Sequence, residues 1–385
     1  MVKDIILALP FFVTFFWAIT LWLGAKNAGA PKKILALFMT AAALLYACHA
    51  VYFSKDYKLY LIIDPIYTFT NLSVFPIFYL YIKSLTKGES ITLKSLWILY
   101  PAAFFSIITT IFIIIIPKQE LSNFIHSYLY KEGSSLGFPT LVKLQIILYS
   151  IERIFFGLLL FPCTYLSWKY IMEYETKIKE FYSTTENRSL AWTGKMLIVT
   201  VITATSSLIL TILGKSFFVE DIALVIVPSL FFSVLLYTIG FLGANQAFSI
   251  KDYHEDLLAD KAAKANNQND SLKSKLYVEI TTLLEREQIF RNSDLRITDI
   301  SLALKTNRTY VSSIINSEFN SSFCDLVNHY RVNYSKKLLL HPKSYILEYV
   351  SSESGFASVN SFLRAFKKQT GTTPGQFRKQ LHKIK

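Results

Sequence analysis

Two sets of side chains have the types and placement for recognition chemistry. Arg308, Thr309, Ser312, Ser313 and Asn316 face outward from one short apolar-periodic segment, and Val359, Asn360, Leu363 and Arg364 face outward from another about fifty residues on. Guanidinium, hydroxyl and amide groups on one helix face can hydrogen-bond base edges in a major groove. Lys305, Lys367, Lys368 and Arg378 lie at the ends of these segments, where a cation meets phosphate oxygens rather than bases. From Arg331 onward the chain has eleven Lys or Arg against two acids, Glu348 and Glu353, the excess that phosphate neutralisation requires. Composition alone does not separate DNA from anionic lipid.

A third set is polar residues embedded in apolar sequence. Asp64 precedes Pro65, Glu152 adjoins Arg153, His49 ends one apolar stretch, and Asn71 follows Asp64 by about two turns. Ionisable groups inside such segments are costly and mark either helix-locking pairs or a polar pocket for a ligand. Glu152 and Arg153 point about 100° apart on a helix, so each looks to another helix, and Arg153 with Asp64 is the expected pair. Pro65, Pro76, Pro101, Pro162 and Pro228 are expected to kink the segments. No HExxH site, glycine-rich phosphate loop, GxSxG elbow or histidine box occurs, so catalysis, a metal and a cofactor are not expected. Cys48, Cys163 and Cys324 have no paired or metal-like spacing and read as buried thiols.

The elements that must position these residues follow from hydropathy. Of 385 residues, 52% are hydrophobic and 17% charged, and the apolar share is concentrated before Gly243. Seven segments are long enough to cross a bilayer: Asp4 to Gly24, Ile34 to Phe53, Leu59 to Ile82, Leu96 to Ile116, Leu141 to Trp168, Lys195 to Gly214 and Asp221 to Gly243. The first, third and fifth loops carry more Lys and Arg than the second, fourth and sixth, which places the N-terminus outside and the C-terminus in the cytoplasm. A cleaved leader ending near Ala30 is the rival for the first segment; Pro31 and the absence of a preceding basic cluster argue against it.

After Gly243 the composition turns polar, and Asn266 to Ser271 reads as a flexible joint. From Leu272 apolar residues recur at three and four, which predicts an all-helical domain. Thr298 to Leu304 is a scaffold helix, Lys305-Thr306 a turn, and Asn307 caps a second helix with Val311, Ile314 and Ile315 inward. Leu347 to Ser354, Gly355 and a helix capped by Ser358, with Phe362, Ala365 and Phe366 inward, repeat the plan. The helix from Phe323 to Leu340 separates the two units.

The stretch from about Leu272 to Arg378 resembles the DNA-binding domain of AraC/XylS-type transcriptional regulators. Gly355, Phe356, Ser358, Phe362, Arg364, Phe366, Lys367, Gly371, Thr373, Pro374, Phe377 and Arg378 meet that family's signature. Ser301, Ser335 and Ser351 stand where the family has alanine, and Lys305 where it often has glycine. Each buried serine is expected to bond the preceding helical turn. The resemblance implies double-stranded DNA and RNA polymerase as partners, and it says nothing of the apolar segments. The expected organisation is all-α: a seven-span sensor (1–243), a linker (244–271) and a double helix-turn-helix head (272–385). The expected function is a transcription regulator in a bacterial inner membrane, with the lipid bilayer as surroundings. A small-molecule or lipid ligand and a homodimer remain open. The alternative is a basic head that docks on anionic lipid or a protein.

Overall fold

The computed structural model describes residues 2–24, 29–88, 92–132, 137–183, 191–213, 215–218, 223–244 and 271–382. Among these residues the secondary structure is helical, with no strand and one isolated bridge. The expected joint falls outside the described residues up to 270, and Ser271 already begins a helix.

The chain forms two units, 1–171 with 191–246, and 172–190 with 247–385. The first contains α1 (Val2–Gly24), α2 (Ala30–Phe53), α3 (Tyr57–Lys87), α4 (Tyr100–Ile115), α5 (Lys118–Phe124), most of α6 (Thr140–Phe181), α7 (Ala191–Leu213) and α8 (Ala223–Ala244). Seven of these helices, all but α5, are long and apolar enough to cross a membrane. Asp56 starts α3 by accepting the amide of Leu59 at 3.0 Å, and Gly88 ends it with φ +71°. Proline lies inside α1, α3, α6 and α8, but Pro101 occupies the first turn of α4, where its missing N–H costs nothing. That residue begins a helix rather than kinking one. A 3₁₀ segment, Leu93–Leu99, precedes it.

Buried side chains of α3, α4, α6 and α7 form one core, including Leu72, Phe105, Phe156 and Ala204. The outer faces stay apolar: Ile114, Ile154, Leu158 and Val227 are 64–75% exposed, a surface suited to hydrocarbon rather than water. Helix α8 packs on α1 at Gly240, where a Cβ would lie 2.3 Å from the Trp17 ring. Small residues permit such close approach between membrane helices. Between α4 and α6 the chain adds α5 and a π turn, Ile125–Leu129. Tyr52 donates to the Leu129 carbonyl at 2.6 Å and Tyr130 to the Tyr52 carbonyl at 2.7 Å. Glu132 accepts from Lys55, His126 and Tyr57, which holds its carboxyl down at about 2.

The second unit holds α9 (Ser271–Glu285), α10 (Ile297–Ala303), α11 (Arg308–Glu318), α12 (Phe323–Leu339), α13 (Leu347–Glu353), α14 (Val359–Thr370) and α15 (Pro374–His382). Val332, Leu339, Val350, Phe356, Phe362 and Phe366 form the core between α12, α13 and α14. The amphipathic spacing of VNSFLRAFKKQT buries Phe362 and Phe366 completely, each contributing about 1.5–3 kcal/mol by burial. The described last turns of α6 with the residues after them, 172–183, cluster with this unit. The sequence division at Gly243 places them in the fifth loop of the sensor region, because hydropathy falls at Trp168, while the helix continues unbroken to Phe181.

Candidate nucleic-acid interface

In the first helix-turn-helix unit, α10 ends in a Schellman turn. The amide of Thr306 reaches the Ser301 carbonyl at 2.9 Å, and Lys305 between them takes φ +49°. Asn307 then caps α11, its side-chain oxygen accepting the Thr309 amide at 2.9 Å. Val311, Ile314 and Ile315 are buried, which turns Thr309, Ser313 and Asn316 outward and leaves Ser312 half-buried. This is a short, capped helix with a hydroxyl-rich outer face.

The second unit repeats the turn. The amide of Phe356 reaches the Ser351 carbonyl at 3.0 Å, with Gly355 at φ +83°. A Cβ at Gly355 would sit 2.3 Å from the Phe290 carbonyl oxygen, so glycine is required by both conformation and space. Ser358 caps α14, accepting the Ser361 amide at 3.2 Å. Asn360 and Arg364 are exposed; Val359 and Leu363 are half-buried at the edge of the same face.

Arg331, counted in the sequence among the basic residues, is wholly buried and belongs to the frame. It donates to the carbonyls of Phe290 at 2.8 Å and Asn292 at 2.7 Å. Burial lowers its pKa to about 10, which leaves it charged at neutral pH. It also donates to Ser183, a residue with no recognisable signal in the sequence, through the carbonyl at 3.3 Å and the hydroxyl at 3.1 Å.

Ser183 is tied to the second unit by several hydrogen bonds. Its amide and hydroxyl both donate to the Leu295 carbonyl, at 3.1 and 2.5 Å, and Cys324 Sγ contacts the Ser183 carbonyl at 3.3 Å. Tyr182 forms the isolated bridge with Arg296, whose guanidinium lies 5.8 Å from the Tyr182 ring centroid. The Arg308 guanidinium lies 5.4 Å from the centroid of Phe181, so the residue that leads α11 is stacked on the end of α6. Phe181 and Tyr182 have no exposed surface. The available signal was two adjacent aromatic residues closing the charged stretch EYETKIKEFYS.

The expected phosphate contacts divide. Lys305 and Lys367 are exposed. Lys368 forms an ion pair with Asp325 at 2.7 Å, and Arg378 donates to the Tyr345 carbonyl at 2.6 Å, fixing α15 to the segment before α13. Ser301 and Ser335 bond the preceding turn, at 2.9 and 2.7 Å, whereas the buried Ser351 hydroxyl has no partner among the described residues.

The polar residues of the first unit converge. His49, Asp64, Asn71, Glu152 and Arg153 all line one cavity of about 500 Å³. Asp64 accepts from Tyr60 at 2.7 Å and from Tyr149, and Glu152 from Thr109 at 3.1 Å and Thr68 at 3.4 Å. The expected Asp64–Arg153 ion pair does not form; the tyrosine hydroxyls occupy the carboxylate instead.

Residues 293–380 match the family described as "Helix-turn-helix domain". The segment is an AraC-type helix-turn-helix domain. The chain is 35% identical over 89 residues to the Msm operon regulatory protein of Streptococcus mutans, covering 23% of this chain and 32% of that protein. It is 25% identical over 143 residues to the uncharacterized HTH-type transcriptional regulator YtdP of Bacillus subtilis, covering 35% of this chain and 18% of that one. The chain thus spans a third or less of the length of these relatives. No solved structure matches.

Proposed function

We propose that the protein is a membrane-bound transcription regulator that reads a specific DNA duplex with α11 and α14, and couples that reading to the state of its apolar helices. Its non-catalytic character, an N-terminus outside the cell membrane, a cytoplasmic head, and contacts with RNA polymerase and a second copy belong to the same reading. The relatives' printed descriptions, an operon regulatory protein and a transcriptional regulator, support the output. Arg308, Thr309, Ser312, Ser313, Val359, Asn360, Leu363 and Arg364 are the proposed base-contacting set, with Lys305 and Lys367 on phosphates.

The plug at Phe181–Ser183 carries the coupling. It ends a helix that begins in the apolar segments, and it packs on the residue that leads α11. While Arg308 stacks on Phe181 it is held from a groove, and release of the plug makes the unit competent. A protein whose competent state is only fractionally populated binds with affinity reduced by that fraction, so a plug seated about nine-tenths of the time weakens binding about tenfold. The full chain in lipid nanodiscs, titrated with a duplex selected from a random pool by the wild type, tests this. Phe181→Ala is expected to tighten binding about tenfold. Unchanged or weaker binding, with the head still folded, sinks the coupling.

A further inference from the structure

We infer that the cavity of the first unit binds an amphipathic anion, its head group paired with Arg153 and its apolar chain along Leu45, Leu210, Val225 and Phe232. The inference rests on the seven-helix unit being the sensing half of the protein, and it names what that half senses.

The charges around the cavity are not equivalent. Asp64 and Glu152 are recessed, 2% and 9% exposed. Both oxygens of each carboxylate already accept hydrogen bonds, from Tyr60 and Tyr149 on Asp64 and from Thr109 and Thr68 on Glu152. Their hydrogen-bonding capacity faces the walls. Arg153 is the reverse: its side chain is exposed, it lines the cavity, and it has no hydrogen bond or ion pair among the described residues. A guanidinium midway along a membrane helix is costly unless an anion or water meets it.

A second exposed cation, Lys131, lines the same cavity from the segment after the π turn. The described surface that a ligand would meet therefore presents cations, with carboxylates already committed behind it. Leu45 of α2, Leu210 of α7 and Val225 and Phe232 of α8 give the cavity an apolar wall, beside neutral polar groups that include Asn71, Ser207, Thr211 and Ser229. A hollow of this volume that joins an apolar wall to convergent polar groups is the usual form of a small-ligand site, and this one suits a ligand with both an apolar and a charged part. A planar guanidinium suits a carboxylate or phosphate bidentately, which favours either head group over a simple halide. A cationic amphiphile would meet Arg153 and Lys131 and find both acids occupied.

The test uses the full chain in phosphatidylcholine nanodiscs without DNA, reading the thermal unfolding midpoint against added dodecanoate, dodecanol or dodecyltrimethylammonium. A ligand that binds only the folded state raises that midpoint. Dodecanoate is expected to raise it and the other two to leave it near its starting value. Arg153→Gln is expected to raise the half-saturating dodecanoate concentration at least about tenfold, and Arg153→Lys, which keeps the charge, by only about threefold. An equal response to dodecanol or to the cation, or wild-type dodecanoate binding by Arg153→Gln, overturns the site. Should Arg153→Gln not fold, Lys131→Gln is read in its place: weaker dodecanoate binding upholds the site and wild-type binding overturns it. Phosphatidylglycerol nanodiscs separate the sources of the anion. A midpoint already raised there, and lowered by Arg153→Gln, assigns a lipid head group; a rise that still requires dodecanoate assigns a free amphiphile. With no DNA present, failure here leaves the DNA-reading proposal and its Phe181 test standing.

Discussion

In the first helix-turn-helix unit Lys305 closes the turn and the leading arginine of the second helix lies on Phe181; in the second, Gly355 closes the turn and Arg364 stands exposed. The two turns have the same hydrogen-bond pattern, the amide of Thr306 or Phe356 reaching the carbonyl five residues before it. They differ in what surrounds them. Gly355 is pressed against the Phe290 carbonyl, at the seam where Arg331 ties the units together, so no side chain fits. Lys305 faces solvent, where a left-handed lysine is tolerated and its ammonium is useful. The second unit is thus built into the frame with Arg364 exposed, and the first has an open turn with its leading arginine covered by the end of α6. That difference is why the control we propose is placed on the first unit.

The sharpest way to break this comparison is Gly355→Ala. A left-handed alanine costs about 1–2 kcal/mol before its Cβ meets backbone on two sides, so a loss of at least about 3 kcal/mol is expected. Hydrogen exchange of the α14 amides would show it, and a small loss would mean the seam is loose. Next, Arg364→Ala is expected to cost about 1–3 kcal/mol of duplex affinity and to relax preference at one base position. The same measurement on Thr309→Ala should show a smaller loss in the wild type, and a larger one once Phe181→Ala has released the first unit. Third, Lys305→Gly should stabilise the head by about 0.5–1 kcal/mol, since relief of left-handed strain exceeds the added chain entropy. A destabilisation would contradict the open turn. Smallest is the salt response. Lys367→Ala should lower the slope of log affinity against log salt by about 1, whereas Lys368→Ala should lower it less, because Asp325 already neutralises that ammonium. Asp325→Asn should bring the two lysines together.

Much of this could be read in the residues. Asn307 and Ser358 cap where their spacing puts them, Val311, Ile314, Phe362 and Phe366 are buried as their period requires, and seven long apolar helices are present. Local pattern fixes such features because one helix face decides them. The five polar residues suspected of lining a pocket share one cavity. Their pairing was not legible, since Tyr60 and Tyr149 compete with Arg153 for Asp64 and only packing decides. Arg331, Lys368 and Arg378 look alike in sequence. One is interior, one is paired and one clamps a loop, through partners 33 to 148 residues away. The plug was hidden for the same reason: FYS has no period, and its partners lie more than a hundred residues on.

That plug has a thermal consequence. Undocking Phe181 and Tyr182 exposes two aromatic rings that are now fully covered. Exposure of apolar surface raises heat capacity, so the free energy of seating is curved in temperature and weakens on cooling. The hydrogen bonds of Ser183 to Leu295 and Arg331 pull the other way, since their enthalpy counts for more in the cold. Under the coupling we propose, the balance of two rings against a few hydrogen bonds sets a temperature at which the Phe181–Ser183 segment is seated most firmly, and chilling below that point would loosen its hold on α11 even with the cavity unchanged.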